Sequence, residues 1–125
     1  MSVAVGIGCR KGCTAGAIAA LVHRALDCAP NAAPLGLFTL VDKRDEAGII
    51  EAAGLLCLPL VYLTREALLA RAGEAKSRSR LAENLFGVPS VAEAAALAGA
   101  GPASVLIVPR ITEGGATCAI AGSAP

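Results

Sequence analysis

The feature that most constrains this chain is the alternation of short apolar runs with segments in which apolar residues recur at helical spacing. Residues 2–8 form a mostly apolar run that ends in glycine, which is typical of a strand buried on both faces of a sheet. Residues 14–28 follow, with apolar side chains at three- and four-residue intervals and Pro30 just beyond the predicted helix end. A strand, a helix and a second strand in this order form the unit from which parallel sheets are built.

The same alternation continues along the chain. Asp45 and Thr64 precede helical patterns as N-caps do, and Ser90 with Glu93 matches the capping box that opens an alanine-rich helix. Residues 73–84 are polar and are predicted as a long loop, with a helix toward its end as an alternative. We predict strands at 2–8, 35–41, 58–63, 104–108 and 116–121, helices at 14–28, 45–54, 64–72 and 90–98, and a flexible loop at 110–115.

These elements predict an α/β fold of one domain spanning residues 1–125. Right-handed crossovers place helices on both faces of a parallel sheet, which gives a three-layer fold. The last two strands are joined by a short loop without a helix, so they should pair antiparallel at one edge. The prediction is a mostly parallel five-stranded sheet with an antiparallel edge. In such sheets ligands bind beyond the carboxyl ends of the strands.

The composition excludes two classes of partner. Phe38, Tyr62 and Phe86 are the three aromatic residues, too few for a protein that stacks the bases of single-stranded nucleic acid. A net charge of +1 is unsuited to bulk binding of a phosphate backbone, so no nucleic-acid partner is expected. The longest uncharged run, residues 94–109, is interrupted by glycine and proline and is too short for a bilayer core of about 30 Å, so no membrane association is expected.

The five cysteines lack the spacing of a disulfide framework or of a zinc site. Their number is odd and no C-x-x-C pair occurs, which is typical of reduced thiols in a cytoplasmic protein. Residues 3–7 are apolar and Arg10 and Lys11 come after them, the reverse of the order in a secretory signal. We therefore expect a cytoplasmic protein without a bound metal or other cofactor.

Most basic residues fall in segments that a parallel sheet would gather at one edge. Arg10 and Lys11 follow the first strand, Lys43 and Arg44 the second, and Arg110 the fourth. With three more in the polar segment, this accounts for eight of the eleven basic residues. A basic rim on a near-neutral protein fits a small or medium anionic ligand. The alternative is that these loops hold charges as surface loops commonly do.

The loop after the first strand, Gly6-Ile-Gly-Cys-Arg-Lys-Gly12, is rich in glycine. Glycines let a backbone approach a ligand closely, and the N-terminus of the next helix offers free N–H groups with a partial positive charge. The G-x-G-x-x-x-G spacing differs from the dinucleotide fingerprint. The alternatives are a cradle for an anion or carboxylate that uses Arg10 and Lys11, and a tight turn without a ligand. Cys9 lies beside these cations, which would lower its thiol pKa, but no partner base stands out.

Three other positions also have structural alternatives. Asp42 can orient a cation or accept a ligand hydroxyl, or it can cap a turn. Gly114-Gly-Ala-Thr117 can bring backbone N–H groups and the Thr117 hydroxyl to a ligand, or it can form a hairpin turn. For Ser90 and Glu93, the capping box accounts for both residues without a ligand.

Three stretches of sequence together resemble one family. They are Val5-Gly-Ile-Gly-Cys-Arg-Lys-Gly12, Gly87-Val-Pro-Ser-Val-Ala-Glu-Ala-Ala-Ala-Leu97, and Leu106-Ile-Val-Pro-Arg110 with Gly114-Gly-Ala-Thr-Cys-Ala-Ile-Ala121. Together they cover essentially the whole chain and resemble the family of the cobalamin-biosynthesis protein CobE and the C-terminal domain of CbiG. The resemblance implies cytoplasmic synthesis of the corrin ring, since the full CbiG protein opens the lactone of cobalt-precorrin-5A and releases acetaldehyde. This chain begins directly at the first strand, so we expect the stand-alone form.

The resemblance carries specific residues over to this chain. Ser79 stands where the family has a serine that often follows Thr-Pro, although Ser77-Arg78 replaces that lead-in here, and Arg110 stands where the family often has lysine. Precorrins are large macrocycles with many acetate and propionate groups, which suit several separated Arg and Lys donors around an open rim. The motif residues carried over are Gly8, Cys9, Arg10, Lys11, Gly12, Ser90, Glu93, Pro109, Gly115, Ala116 and Thr117.

We therefore expect a cobalamin-biosynthesis protein that binds or processes a precorrin through a basic, glycine-rich rim. One alternative is a hydrolase of the lactone in a precorrin-5A-type intermediate, with Glu93 or Asp42 as base. Another is an accessory subunit that docks on a pathway enzyme through the small residues 94–98. The competing interpretation is that these residues lie in the core. A homo-oligomer is a further alternative. No catalytic residue or metal ligand is assigned, and the predicted ligand-binding residues are Gly8, Cys9, Arg10, Lys11, Gly12, Asp42, Lys43, Ser79, Ser90, Glu93, Arg110, Gly115 and Thr117.

Overall fold

Five strands form one sheet in the computed structural model, which describes residues 1–123. They are β1 (Ser2–Cys9), β2 (Ala33–Leu40), β3 (Leu60–Leu63), β4 (Ser104–Glu113) and β5 (Ala116–Ser123). Their order in the sheet is β3-β2-β1-β5-β4. β1, β2 and β3 pair in parallel, and β5 runs antiparallel to both of its neighbours, β1 and β4. Four strands therefore share one direction, as predicted, and the antiparallel pairs lie on the β4 side of the sheet.

Within residues 1–123, five α-helices cover the two faces of this sheet. They are α1 (Ala15–Asp27), α2 (Ala47–Leu56), α3 (Arg65–Leu69), α4 (Arg80–Phe86) and α5 (Val91–Ala100). α1 and α2 bury Leu21 and Ile49 against Ile7 of β1 on one face. α3, α4 and α5 pack around Phe38 and Leu40 of β2 on the other. The result is the predicted three-layer α/β fold.

α5 lies unusually close to the centre of the sheet. A Cβ atom added to Gly6 of β1 would lie 1.9 Å from the Ala92 carbonyl oxygen, so glycine at this position permits the approach. The small side chains of α5 permit the same approach from the helix side, since Ala92 and Ala96 are fully buried against the sheet. Residues 94–97 are all fully buried. They therefore belong to the core, as the competing interpretation predicts, and offer no docking surface.

Local signals predicted most helix starts correctly. Thr64 and Ser90 cap α3 and α5, accepting hydrogen bonds from Ala67 N and Glu93 N. The prediction for α2 was wrong at both ends. Asp45 is not its N-cap, since the helix begins after Glu46, and it continues past Gly54 to Leu56.

The prediction of a flexible loop at 110–115 was wrong. β4 continues to Glu113, whose partner in β5 is Ala116. Gly114 and Gly115 alone form the connection, with φ of +59° and +83°, and two successive residues with positive φ are typical of a type I′ hairpin turn. The hairpin alternative for this motif is thereby confirmed. In the polar segment 73–84, α4 begins at Arg80, which matches the helix alternative.

Candidate ligand-binding cleft

One open cleft lies at the carboxyl end of the parallel strands. β1, β2 and β4 end there, β5 begins there, and the cleft encloses about 980 Å³. Its walls come from the loop after β1, the single 3₁₀ turn Val41–Lys43 after β2, the residues leading into and forming α4, the start of α5 and the β4–β5 hairpin. This is the position at which sheets of this type bind ligands.

The structure brings eleven of the thirteen predicted site residues together in this cleft. Glu93 and Gly12 do not line it. The residues that do are Gly8, Cys9, Arg10, Lys11, Asp42, Lys43, Ser79, Ser90, Arg110, Gly115 and Thr117. They come from five separate stretches of sequence, so their proximity is a consequence of the fold.

Cationic side chains outnumber carboxylates two to one around the cleft. Six basic side chains and three carboxylates line it. Arg10 follows β1, Lys43 follows β2 and Arg110 lies near the end of β4, so the predicted convergence of charge at one edge is observed. The basic side chains are Arg10, Lys11, Lys43, Arg65, Arg78 and Arg110, and the acidic ones are Asp42, Glu46 and Glu113.

The three carboxylates already have partners within the protein. Asp42 Oδ2 lies 2.8 Å from Arg65 Nη2, so Asp42 orients a cation, one of the alternatives left open by the sequence. Glu46 Oε2 accepts a hydrogen bond of 3.3 Å from Gly12 N. Glu113 pairs with Arg24 on α1 at 3.1 Å. These contacts occupy the acidic groups and leave donors on other basic side chains.

The basic side chains differ in how many donors they have left. Lys43 Nζ donates to the carbonyl of Cys9 at 2.8 Å and lies 5.3 Å from the centre of the Phe86 ring. Arg110 Nη2 donates one long bond of 3.4 Å to the carbonyl of Arg78. Within residues 1–123, the side chains of Arg10 and Lys11 make no hydrogen bond or ion pair. Arg10, Lys11 and Arg110 can therefore donate to a ligand.

The floor of the cleft joins β1 to the hairpin. Thr117 Oγ1 donates to the Gly8 carbonyl at 3.1 Å, and Arg10 N donates to the Gly115 carbonyl at 3.0 Å. A Cβ atom at residue 8 would lie 2.6 Å from Thr117 Oγ1, so glycine is required for this approach. The glycine-rich loop and the hairpin thus form one hydrogen-bonded surface.

Glu93 does not complete the capping box that its sequence context predicts. Ser90 Oγ accepts from Glu93 N at 3.2 Å, but the fully buried Glu93 side chain turns to other partners. Its oxygens accept from Lys76 N at 2.9 Å, from Ser77 N and Oγ at 2.8 and 3.1 Å, and from Arg110 N at 2.9 Å. Glu93 therefore joins α5 to two walls of the cleft without lining it, a position unsuited to a general base.

Ser79 anchors the start of α4. Its hydroxyl oxygen accepts from Ala82 N at 3.2 Å as the N-cap, and its backbone N donates to the Pro89 carbonyl at 2.6 Å. Because Ser79 also lines the cleft, it fixes where α4 meets the other walls.

The environment of Cys9 is the opposite of the one expected from its sequence neighbours. The residue is only 8% exposed. Burial, reinforced by Cys13, raises the pKa of the Cys9 thiol to about 12, although Lys43 acts in the other direction. Cys9 is therefore protonated at neutral pH, and its predicted low pKa was wrong.

Sequence reasoning missed the apolar part of the cleft. The α4 side chains Leu81, Leu85 and Phe86 line the cleft. The basic residue Arg65, directly after β3, also lines the cleft and was likewise missed. Leucines four residues apart are the helical signal that could have marked α4 inside its polar surroundings.

Residues 1–123 contain neither a candidate metal site nor a helix that could span a membrane. In residues 1–123, no group of three or more His, Cys, Asp or Glu residues is arranged to hold a metal ion. The same residues include no helix whose length and apolar character would let it cross a membrane.

Comparison with known proteins identifies the family. Residues 3–121 match the family described as cobalamin synthesis G C-terminus. The chain belongs to this family. Protein CobE from Sinorhizobium sp is 36% identical over 122 residues, covering 96% of this chain and 79% of that protein. The resemblance deduced from the three sequence stretches is thus confirmed.

Two solved structures of this family share the fold. The crystal structure of CobE, a protein from the cobalamin (vitamin B12) biosynthetic pathway, matches with a TM-score of 0.87 at 34% identity, over 95% of this chain and 88% of the other. The cobalamin biosynthesis protein chiG from Agrobacterium tumefaciens str. C58 matches with a TM-score of 0.75 at 39% identity, over 98% and 99%. This member of the cobalamin synthesis G C-terminus family is accordingly a protein of cobalamin biosynthesis.

Proposed function

We propose that this protein binds a corrin-ring precursor, a precorrin, in the cleft at the carboxyl edge of its sheet. The observation that carries the proposal is the distribution of hydrogen-bond donors. Arg10 and Lys11 reach the cleft from the loop after β1 and Arg110 reaches it from β4, and all three retain donors. Asp42, Glu46 and Glu113 are instead held by partners in the protein. A ligand that brings several carboxylates would satisfy these cations with charge-assisted hydrogen bonds.

The shape of the cleft supports a ligand of this class. A volume of about 980 Å³ lies at the upper end of the range for small-molecule sites, which is roughly 300–1,000 Å³. The cleft is open and its cations are spread around the edge. A precorrin presents acetate and propionate groups around its periphery, so an open rim can contact several of them at once. A site for one small anion would instead concentrate its donors at one point.

Binding accounts for the geometry better than lactone hydrolysis does. Glu93 is enclosed by four donors, Asp42 is paired with Arg65, and the Cys9 thiol is protonated. None of these three groups offers an activated nucleophile or a free base to the cleft. We therefore infer a protein that holds an intermediate and exchanges it with cytoplasmic enzymes of the pathway.

Titration with hydrogenobyrinic acid, a corrin with free carboxylates, tests the proposal. We expect binding to perturb the corrin absorption spectrum and to weaken as salt concentration rises. The double variant Arg10→Ala/Lys11→Ala, and separately Arg110→Ala, should each raise the Kd by about tenfold or more, which corresponds to about 1.4 kcal/mol.

Arg44→Ala is the matched control, because Arg44 is exposed, adjoins Lys43 in sequence and does not line the cleft. It should leave the Kd within about twofold of the original. Absence of binding at high micromolar ligand, or equal weakening by the control and the cleft variants, would contradict the proposal.

A further inference from the structure

One wall of the cleft is apolar. Leu81 and Leu85 lie one turn apart on α4, both line the cleft, and each is 55% exposed. Phe86 extends this wall, with the Lys43 ammonium 5.3 Å and the Arg65 guanidinium 5.8 Å from its ring centre. The cleft therefore combines a basic rim with an apolar wall made by Leu81, Leu85 and Phe86.

The two leucines are not needed to pack α4 onto the domain. Ala82 and Phe86 are the α4 residues that pack against the core around Phe38 and Leu40. In the described part of the chain, no side chain of α4 is fully buried, and the helix is held at its ends by Ser79 and the turn at Gly87. Polar residues at positions 81 and 85 would therefore preserve the fold, so a contact outside the domain would account for two leucines there.

The geometry points to α4 as the surface that receives the apolar face of a flat ligand whose edge carries carboxylates. This inference rests on the proposed function and narrows it. The cleft would select an amphipathic macrocycle, held by its edge at Arg10, Lys11 and Arg110 and by its face on Leu81 and Leu85. A small polycarboxylate would engage the cations alone. Burial of the leucines would supply affinity in proportion to the apolar area covered.

Charge argues against a second copy of this chain as the occupant. In a two-fold dimer each subunit contributes the same patch. Pairing through the apolar wall would bring the rim of one subunit, which has six basic and three acidic side chains, close to the same rim of the other. Like charges brought together in this way oppose association. A ligand with anionic edges is instead complementary to both parts of the cleft.

The test compares two probes and three variants. The probes are hydrogenobyrinic acid, which has both an apolar face and carboxylates, and 1,2,3,4-butanetetracarboxylate, which has carboxylates only. The variants are Leu81→Ser/Leu85→Ser in the wall, Arg10→Ala/Lys11→Ala in the rim, and Leu55→Ser as control. Leu55 is a leucine of α2 that is 66% exposed and lies outside the cleft. Binding is followed by absorption for the corrin and by NMR titration for the tetracarboxylate.

We expect the wall variant to raise the corrin Kd by about 10- to 100-fold and to leave tetracarboxylate binding within about twofold. The rim variant should weaken both probes and Leu55→Ser neither. If the rim variant weakens corrin binding and the wall variant does not, the wall assignment is wrong while the proposed function stands. If the unmodified protein binds no corrin, both fail. A wall variant that changes only the sedimenting mass would identify a self-association surface and overturn the inference.

Discussion

The backbone N–H of Arg110 donates to Glu93 Oε2 at 2.9 Å, linking β4 to α5 where β4 pairs irregularly with β5. The register of β4 against β5 shifts between Val108 and Ile111, which places a bulge at this point. Bulges redirect side chains, and here the buried carboxylate fixes a segment whose Arg110 side chain enters the cleft. Because Glu93 also binds Lys76 and Ser77, one carboxylate positions two walls.

Replacing Glu93 by Gln should lower the free energy of unfolding by about 2–4 kcal/mol, because an amide keeps one acceptor oxygen where four donors converge. Urea denaturation measures this change. Glu83→Gln is the control, since Glu83 forms a solvent-exposed ion pair with Arg78, and it should lower the stability far less than Glu93→Gln does.

A second measurement separates the positioning role of Glu93 from general stability. Amide hydrogen exchange in Glu93→Gln should accelerate first at Lys76, Ser77 and Arg110, the three residues whose backbone N–H groups donate to the Glu93 side chain. Uniform acceleration across the sheet, with no excess at these amides, would show that Glu93 stabilises the core without positioning the cleft walls.

Gly8→Ala should destabilise the protein by about 1–3 kcal/mol, because the new methyl group would lie 2.6 Å from Thr117 Oγ1. Thr117→Ala removes that oxygen, so the cost of Gly8→Ala should be smaller in the Thr117→Ala background. Thermal or urea unfolding of the four proteins in this double-mutant cycle measures the coupling. Strict additivity of the two changes would argue that residues 8 and 117 do not constrain each other.

Much of the fold and part of the cleft could be predicted because they depend on chain-local patterns. Apolar periodicity marked the strands and most of the helices. Once four strands share a direction, the residues at and just after their carboxyl ends must meet at one edge, which is why Arg10, Lys43 and Arg110 converge as expected. The glycine pair at 114–115 likewise had two interpretations, a ligand-contacting loop and a hairpin turn, and the hairpin turn is the one observed.

The rest depends on contacts between distant residues. The S-x-x-E pattern at Ser90 predicts a capping box, but Lys76, Ser77 and Arg110 supply donors that no local pattern reveals. The cations beside Cys9 are visible in the sequence, whereas the burial that outweighs them is not. The placement of β5 between β1 and β4 also depends on long-range strand pairing, which the hairpin signal leaves undetermined.

The thiols should react in the order of their exposure. Cys28 and Cys57 are exposed, whereas Cys9 and Cys118 are buried. Ellman's reagent at pH 8 should therefore modify Cys28 and Cys57 rapidly in the folded protein. Cys28→Ser/Cys57→Ser should remove this rapid phase, and Cys9 and Cys118 should become reactive only on unfolding. Cys13 is partly exposed, so the buried thiols are tested in Cys13→Ser/Cys28→Ser/Cys57→Ser. A rapid reaction in this triple variant would show that a buried thiol is accessible in the native state.

Stability should decrease as the pH rises above about 9. Burial raises the pKa of both Cys9 and Cys118 from 9.0 to about 12, so between these values the folded protein binds more protons than the unfolded chain. The resulting stabilisation is complete below pH 9 and is lost as the pH approaches 12. Urea unfolding at several pH values should give a shallower decline for Cys118→Ala, whatever its stability at neutral pH. An unchanged slope would contradict the buried-thiol explanation.

The two glycines of the β4–β5 turn should respond differently to substitution. Gly114→Asn creates the Asn-Gly pair favoured in type I′ turns, and the φ of +59° at position 114 is accessible to asparagine. The stability of this variant should therefore be unchanged or rise by up to about 1 kcal/mol. Gly115→Val places a β-branched residue at φ +83° and should cost about 1–3 kcal/mol. Thermal unfolding of both variants measures these effects. Equal tolerance of asparagine at 114 and valine at 115 would mean that the turn does not hold this geometry in solution.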